Sequence, residues 1–100
     1  MIVVRNVFKV KFGKAKDAMA AYKEVAAIAR ESSKGAVPLR LLTDVTGSHY
    51  TIVSELTFEN LAAIDPMMTA ITGEPRWQAA YQRFVPCVDS GHREIFKLVE

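Results

Sequence analysis

The sequence predicts an α+β fold: a four-stranded antiparallel sheet with helices on one face, in the ferredoxin-like split βαβ order. Three observations carry this. Four segments repeat β-branched and apolar residues with a period of two. Two longer stretches repeat apolar residues at spacings of three and four, the mark of amphipathic helices. Glycines and prolines punctuate the chain where one period gives way to the other.

The first strand is expected over residues 2–12. Ile2, Val4, Asn6, Phe8, Val10 and Phe12 fall on one face, and Val3, Arg5, Val7, Lys9 and Lys11 on the other. Gly13 ends it. A helix follows over residues 14–33, with Ala15, Ala18, Met19, Tyr22, Val25, Ala26 and Ala29 forming one apolar stripe. Gly35 is placed to cap it in the left-handed conformation. Residues 37–44 and 49–57 read as an antiparallel hairpin around a Thr46-Gly47-Ser48 turn. Thr57 then caps a helix starting at Phe58, with Leu61, Ala62, Ile64 and Met68 on its inner side. Pro66 kinks or breaks that helix, or restarts it with Asp65 as cap. Gly73-Glu74-Pro75 is a second break. A further helix runs from about Pro75 to Val85 with Trp77, Tyr81, Phe84 and Val85 on one side, and a last strand covers His92 to Val99. The order is β-α-β-β-α-α-β.

One hundred residues make one domain. Half the residues are hydrophobic and 24% are charged, the balance of a globular chain. The net charge of +2 is too small to indicate nucleic acid or membrane as a partner. The opening run Met1–Arg5 is too short for a signal peptide or membrane helix. The lone cysteine, Cys87, excludes an internal disulfide and points to the cytoplasm. Charge is uneven: residues 1–50 carry nine Lys/Arg and four Asp/Glu, residues 51–100 four and seven. That asymmetry fits solvated faces, or complementary halves of a self-associating surface.

Both phases of the strands are apolar. Val4, Phe8 and Val10 oppose Val3 and Val7, Ile52 and Leu56 oppose Val53, and Phe96 and Leu98 oppose Ile95 and Val99. A sheet with one wet face alternates cleanly. Helices cover one face, so the other is left bare. Several hundred Å² of apolar surface left wet forfeits on the order of 10 kcal/mol, comparable to the stability of a small domain. A second copy related by a two-fold axis covers that face, so a homodimer is expected.

Three stretches carry a resemblance. They are Phe8-Lys9-Val10-Lys11-Phe12-Gly13-Lys14, Gly73-Glu74-Pro75-Arg76-Trp77-Gln78 and Ser90-Gly91-His92-Arg93-Glu94-Ile95-Phe96. Together with the element order they resemble the dimeric α+β barrel superfamily, in particular its NIPSNAP-like and antibiotic-biosynthesis-monooxygenase-like members. The resemblance implies a cavity between helices and sheet, or inside the barrel. It implies cofactor-independent oxygenation, heme degradation, other small-molecule chemistry or ligand sensing, and fold does not select among these. The heme-degrading branch implies an Asn on the first strand, a Trp ending the third and a His on the late helix. Asn6 matches, but Leu56 stands at the Trp position and Tyr81 at the His position, so no axial ligand for iron is present.

Asn6 and Tyr81 are the candidate catalytic groups. Asn6 sits among apolar neighbours, either bonded to an adjacent strand or anchoring a substrate carbonyl or enolate. Tyr81 shares a helix face with Trp77, four residues before it, either as core packing or as the wall of a flat-ligand pocket. Phe8, Ser54 and Leu56 complete the candidate binding set. Arg40 joins it as a clamp for an anionic substrate, or else forms a salt bridge with Glu55. Arg5, Lys9, Lys11, Lys14 and Lys16 read as solvated edge-strand protection. His49 and His92 begin strands and are expected near solvent. No metal-ligand spacing and no cofactor motif is present, so neither is expected.

The residues suit an oxygenase or isomerase of an aromatic or enolisable compound acting without cofactor. The alternative is a non-catalytic module of the same fold that binds a small hydrophobic or aromatic molecule or docks to a partner, which the lack of a triad or acid–base pair slightly favours. RNA binding is disfavoured, since His49-Tyr50-Thr51-Ile52-Val53-Ser54-Glu55 lacks the basic-glycine-aromatic pattern. An acylphosphatase is disfavoured because no glycine-rich phosphate loop follows the first strand.

Overall fold

The computed structural model describes residues 1–47 and 49–100. Its elements are β1 (Ile2–Val10), α1 (Ala15–Ser32), β2 (Leu39–Thr43), β3 (Thr51–Phe58), a 3-10 turn (Leu61–Ala63), α2 (Ile64–Thr72), α3 (Pro75–Phe84), a second 3-10 turn (Val85–Cys87) and β4 (Val88–Lys97). All strand pairs are antiparallel, in the order β2-β3-β1-β4. The predicted α+β ferredoxin-like architecture is the one observed. The chain measures 37 × 34 × 18 Å, and the short dimension holds one sheet and one layer of helices.

β1 lies in the middle of the sheet, so its two phases serve both faces. Val4 and Val10 are buried under the helices. Its central place also overturns the reading of the basic cluster as edge protection: Arg5 is held in an ion pair on the open face. α1 lays Ala18, Ala21, Tyr22, Val25, Ala26, Ile28 and Ala29 against the sheet, and the small residues let it approach closely. It ends as expected at Gly35, whose φ is +74° and whose N–H donates to the carbonyl of Arg30 at 3.0 Å.

Several boundaries differ from the sequence reading: the second strand is shorter, Leu39–Thr43, the third starts at Thr51, and the last ends at Lys97. β1 stops at Val10, and Phe12 is 89% exposed beyond it. Phe58 belongs to β3 and not to a helix, because it pairs with Ile2 and is buried under the helices. The cap of the next turn is therefore Asn60, not Thr57; its side chain accepts from the N–H of Ala63 at 3.0 Å. Pro66 sits in the first turn of α2, where no intrahelical bond needs its missing N–H, so it does not break the helix. β4 starts at Val88, four residues early. A register shift between Lys9 and Val10 lets the strand pair onward from Gly91 to Val88. Of the predicted hairpin turn, Gly47 has the expected positive φ of +101° and Ser48 lies outside the described residues.

The open face carries Val3, Val7, Leu42, Val53 and Phe96, with Leu42 41% and Phe96 47% exposed. At its centre Glu55 is buried between two guanidiniums, 2.6 Å from Arg5 Nη2 and 2.5 Å from Arg40 Nη2. Arg5 also lies over the Phe96 ring, 5.3 Å from its centroid. His92 shares this face and meets Glu94 at 3.4 Å.

The Arg40 and then the Arg5 guanidinium hold the Glu55 carboxyl below its ordinary range. A carboxylate depressed in the folded state contributes stability that is complete above the unfolded value, about 4.3, and is lost as pH falls through the folded value. Glu55→Gln is therefore expected to lower Tm at pH 7 and to flatten the fall of Tm below about pH 4.3. Thermal unfolding of both proteins from pH 2.5 to 7 measures this; parallel curves would show that the pair carries no linkage.

Candidate functional site

A cavity of about 430 Å³ opens between the sheet and the helices, within the size range of small-molecule sites. Its floor is the helix-side phase of the sheet: Asn6 and Phe8 of β1, Leu39 of β2, Leu56 of β3 and Arg93 of β4. α1 supplies Tyr22 and Val25, α2 supplies Met68 and Ile71, and α3 supplies Trp77 and Tyr81.

The Gly73–Gln78 stretch sets the aromatic wall, and each of its residues has a local task. Gly73 closes α2, its N–H donating to the carbonyl of Thr69 at 3.0 Å. Glu74 is extended and Pro75 opens α3, where a proline is pre-organised. Arg76 pairs with Glu31 of α1 at 3.2 Å, and Gln78 donates from Nε2 to the carbonyl of Thr72 at 2.9 Å. Further along, Arg83 pairs with Glu24 at 2.7 Å. Held this way, α3 turns Trp77 and Tyr81 inward as a stacked pair, 4.8 Å between centroids and 10° between planes.

Beneath that wall lies an aromatic cluster. Phe84, fully buried, meets Tyr22 at 4.6 Å, Phe8 at 5.0 Å and Tyr81 at 6.0 Å between centroids. Phe8 lies across Gly91 on β4. A β-carbon at Gly91 would stand 2.8 Å from Phe8 Cδ1, so glycine is needed there for close approach rather than for backbone freedom.

A row of polar groups crosses the apolar floor. Arg93 donates from Nε to Asn6 Oδ1 at 2.9 Å, and Asn6 donates from Nδ2 to Ser54 Oγ at 3.2 Å. Tyr22 donates its hydroxyl to the same Ser54 oxygen at 3.1 Å. Ser54 has no exposed surface, and burial pushes the Tyr22 phenol above its ordinary value, so Tyr22 stays a neutral donor. Asn6 keeps one amide N–H beyond these bonds. The Tyr81 hydroxyl has no protein partner among the described residues. Among the described residues, no histidine, cysteine or carboxylate lines the cavity, and no group of three metal-ligating side chains gathers.

Of the residues singled out in the sequence, Asn6, Phe8, Leu56, Trp77 and Tyr81 come together here, and Ser54 lies directly behind Asn6. Arg40 does not. It sits on the opposite face of the sheet, because residue 40 has the opposite phase to Leu39, and it binds Glu55 instead. Sequence reasoning misses Arg93, and it finds Tyr22 only as part of the helix's core stripe. The signal for Arg93 is its phase: it lies two residues from Ile95 and opposite Asn6, on the helix side of β4.

The same layout is found in solved structures. A NIPSNAP domain protein from Burkholderia xenovorans superposes with a TM-score of 0.86 at 19% identity, covering 99% of this chain and 95% of that one. An antibiotic biosynthesis monooxygenase superposes at 0.75 with 14% identity over the whole of both chains. SnoaB, a cofactor-independent oxygenase from Streptomyces nogalater, superposes at 0.74 with 13% identity over 99% and 93%. This chain has the NIPSNAP and antibiotic-biosynthesis-monooxygenase-like fold. No family model matches its sequence, and no curated protein does. The NIPSNAP-like layout is therefore shared through the placement of elements, not through residue identity.

Ser54→Ala leaves the Tyr22 hydroxyl and an Asn6 N–H facing an apolar layer. A loss of roughly 1–3 kcal/mol is expected, several-fold more than for Ser33→Ala, whose hydroxyl bonds only to the Arg30 carbonyl. Urea unfolding of the two variants checks this, and equal losses would remove the network from the stabilising core.

Proposed function

We propose that this protein is a homodimer that binds a flat aromatic or enolisable molecule between its helices and sheet and oxygenates it without a cofactor. The observation that carries the reading is the chemistry of the cavity. Its walls are aromatic and aliphatic, it offers N–H and O–H donors, and among the described residues it holds no carboxylate, imidazole or thiol that would serve as a strong base. Such a site suits a substrate that ionises by its own acidity. The Asn6 N–H and the Tyr81 hydroxyl hold the enolate oxygen, and the apolar walls exclude water from the carbanion. The carbanion carbon of a methylene forms a bond to one oxygen of O2. The resulting peroxide anion takes up one proton, equal to the one the methylene gave up, and the hydroperoxide so formed loses water to leave a carbonyl, so one O2 is consumed and one water released. SnoaB supports this reading, since it is a cofactor-independent oxygenase and shares the fold.

The dimer follows from the open sheet face. Val3, Val7, Leu42, Val53 and Phe96 form an apolar field that the chain's own helices leave uncovered, with the Arg5–Glu55–Arg40 group at its centre. A second copy is its natural cover. The buried free thiol of Cys87 fits the cytoplasmic location that the lone cysteine suggests, and no helix among the described residues is long and apolar enough to cross a membrane.

The absence of a strong base also favours a second reading, a binding module with no turnover. Oxygen uptake with anthrone in the presence of a chelator separates the two. Uptake above the protein-free rate, reduced about tenfold or more in Asn6→Ala, is expected for the oxygenase. Thermal stabilisation by anthrone without uptake identifies the binding module. Light scattering after size exclusion at micromolar concentration is expected to give twice the monomer mass of 11.1 kDa; a monomer would contradict the covered face.

A further inference from the structure

We infer that Arg93 fits the cavity to an anionic ligand, a hydroxylated flat ring carrying a carboxylate. The inference rests on the reading of the cavity given above and names the substrate class within it.

Among the described residues, Arg93 is the one charged residue in the lining. The other arginines are engaged. Arg5 and Arg40 pair with Glu55, Arg76 with Glu31, Arg83 with Glu24, and Arg30 donates from Nη2 to the carbonyl of Leu39. Arg93 differs. Its Nε is fixed on Asn6 Oδ1 at 2.9 Å, while its two terminal nitrogens have no protein acceptor among the described residues. Its sequence neighbour Glu94 cannot serve, because it points to the opposite face and meets His92.

A guanidinium anchored through Nε presents a planar fork of unused N–H donors. That fork matches the two oxygens of a carboxylate, at shorter and stronger bonds than a neutral acceptor makes. Asn6 sets the plane of the fork, and Ser54 in turn holds Asn6. The other polar residues of the lining, Asn6, Tyr22, Thr72 and Tyr81, are uncharged, so the guanidinium sets the sign of the site and favours an anion. The stacked Trp77–Tyr81 pair provides a flat surface for a ring. Ring and carboxylate together define the ligand.

The test compares 1-hydroxy-2-naphthoate with 1-naphthol by titration calorimetry on the full chain. The two probes share the ring and hydroxyl and differ in the carboxylate. Wild type is expected to bind the carboxylate at least tenfold more tightly. Arg93→Gln is expected to erase that difference by weakening 1-hydroxy-2-naphthoate at least several-fold more than 1-naphthol, and Arg93→Lys to restore part of it, since lysine keeps the charge but not the fork. Equal affinities in wild type, or an equal loss for both probes in Arg93→Gln, would overturn the anionic class and leave the flat-ligand cavity standing. Binding of neither probe would overturn both.

Discussion

Ser54 lies fully buried in an apolar layer, and its hydroxyl oxygen accepts from Tyr22 on α1 and from Asn6 on β1. A buried hydroxyl with no partner costs stability, so helix and strand must keep the register that satisfies it. That single requirement orients Asn6. With one Nδ2 hydrogen given to Ser54, its carbonyl oxygen turns toward β4 and takes the Arg93 Nε. The floor of the cavity thus inherits its polar row from a packing constraint, and the fork of Arg93 is left facing open space.

The central position of β1 gives this constraint its reach. One phase of the strand carries Val4, Asn6, Phe8 and Val10 into the helix layer. The other carries Val3, Arg5 and Val7 to the open face, where Arg5 joins Arg40 on Glu55. The molecule therefore has two polar arrangements in two apolar settings, separated by one sheet. One is open-ended and faces a cavity. The other is closed on itself, with a carboxylate between two guanidiniums, and suits a surface to be covered.

Most of the architecture is legible in the sequence because period and punctuation agree. Gly35 and Pro75 stand where a helix must end and where one begins, and backbone geometry allows little else. Boundaries are less legible where two signals compete. Thr57 has the chemistry of a cap, but Phe58 is held in β3 by pairing and burial, and the capping task falls to Asn60. Asn6, Trp77 and Tyr81 are legible as polar or aromatic residues in apolar phases. Arg40 misleads because an arginine between leucines draws attention to its charge, while its phase decides its face. Arg93 escapes because it is exposed, as a charged residue on an edge strand is expected to be; its bond to Asn6 comes from the residue across from it, which only register reveals.

The central claim is that ligands enter between helices and sheet and meet the Asn6–Arg93 row. Side-chain NMR of the protein titrated with 1-hydroxy-2-naphthoate addresses it in solution. Shifts of the Asn6 amide, the Arg93 Nε–H and the Trp77 indole N–H are the predicted result, the last conveniently unambiguous because Trp77 is the chain's single tryptophan. Shifts confined to Arg5, Arg40 and His92 on the open face would contradict it.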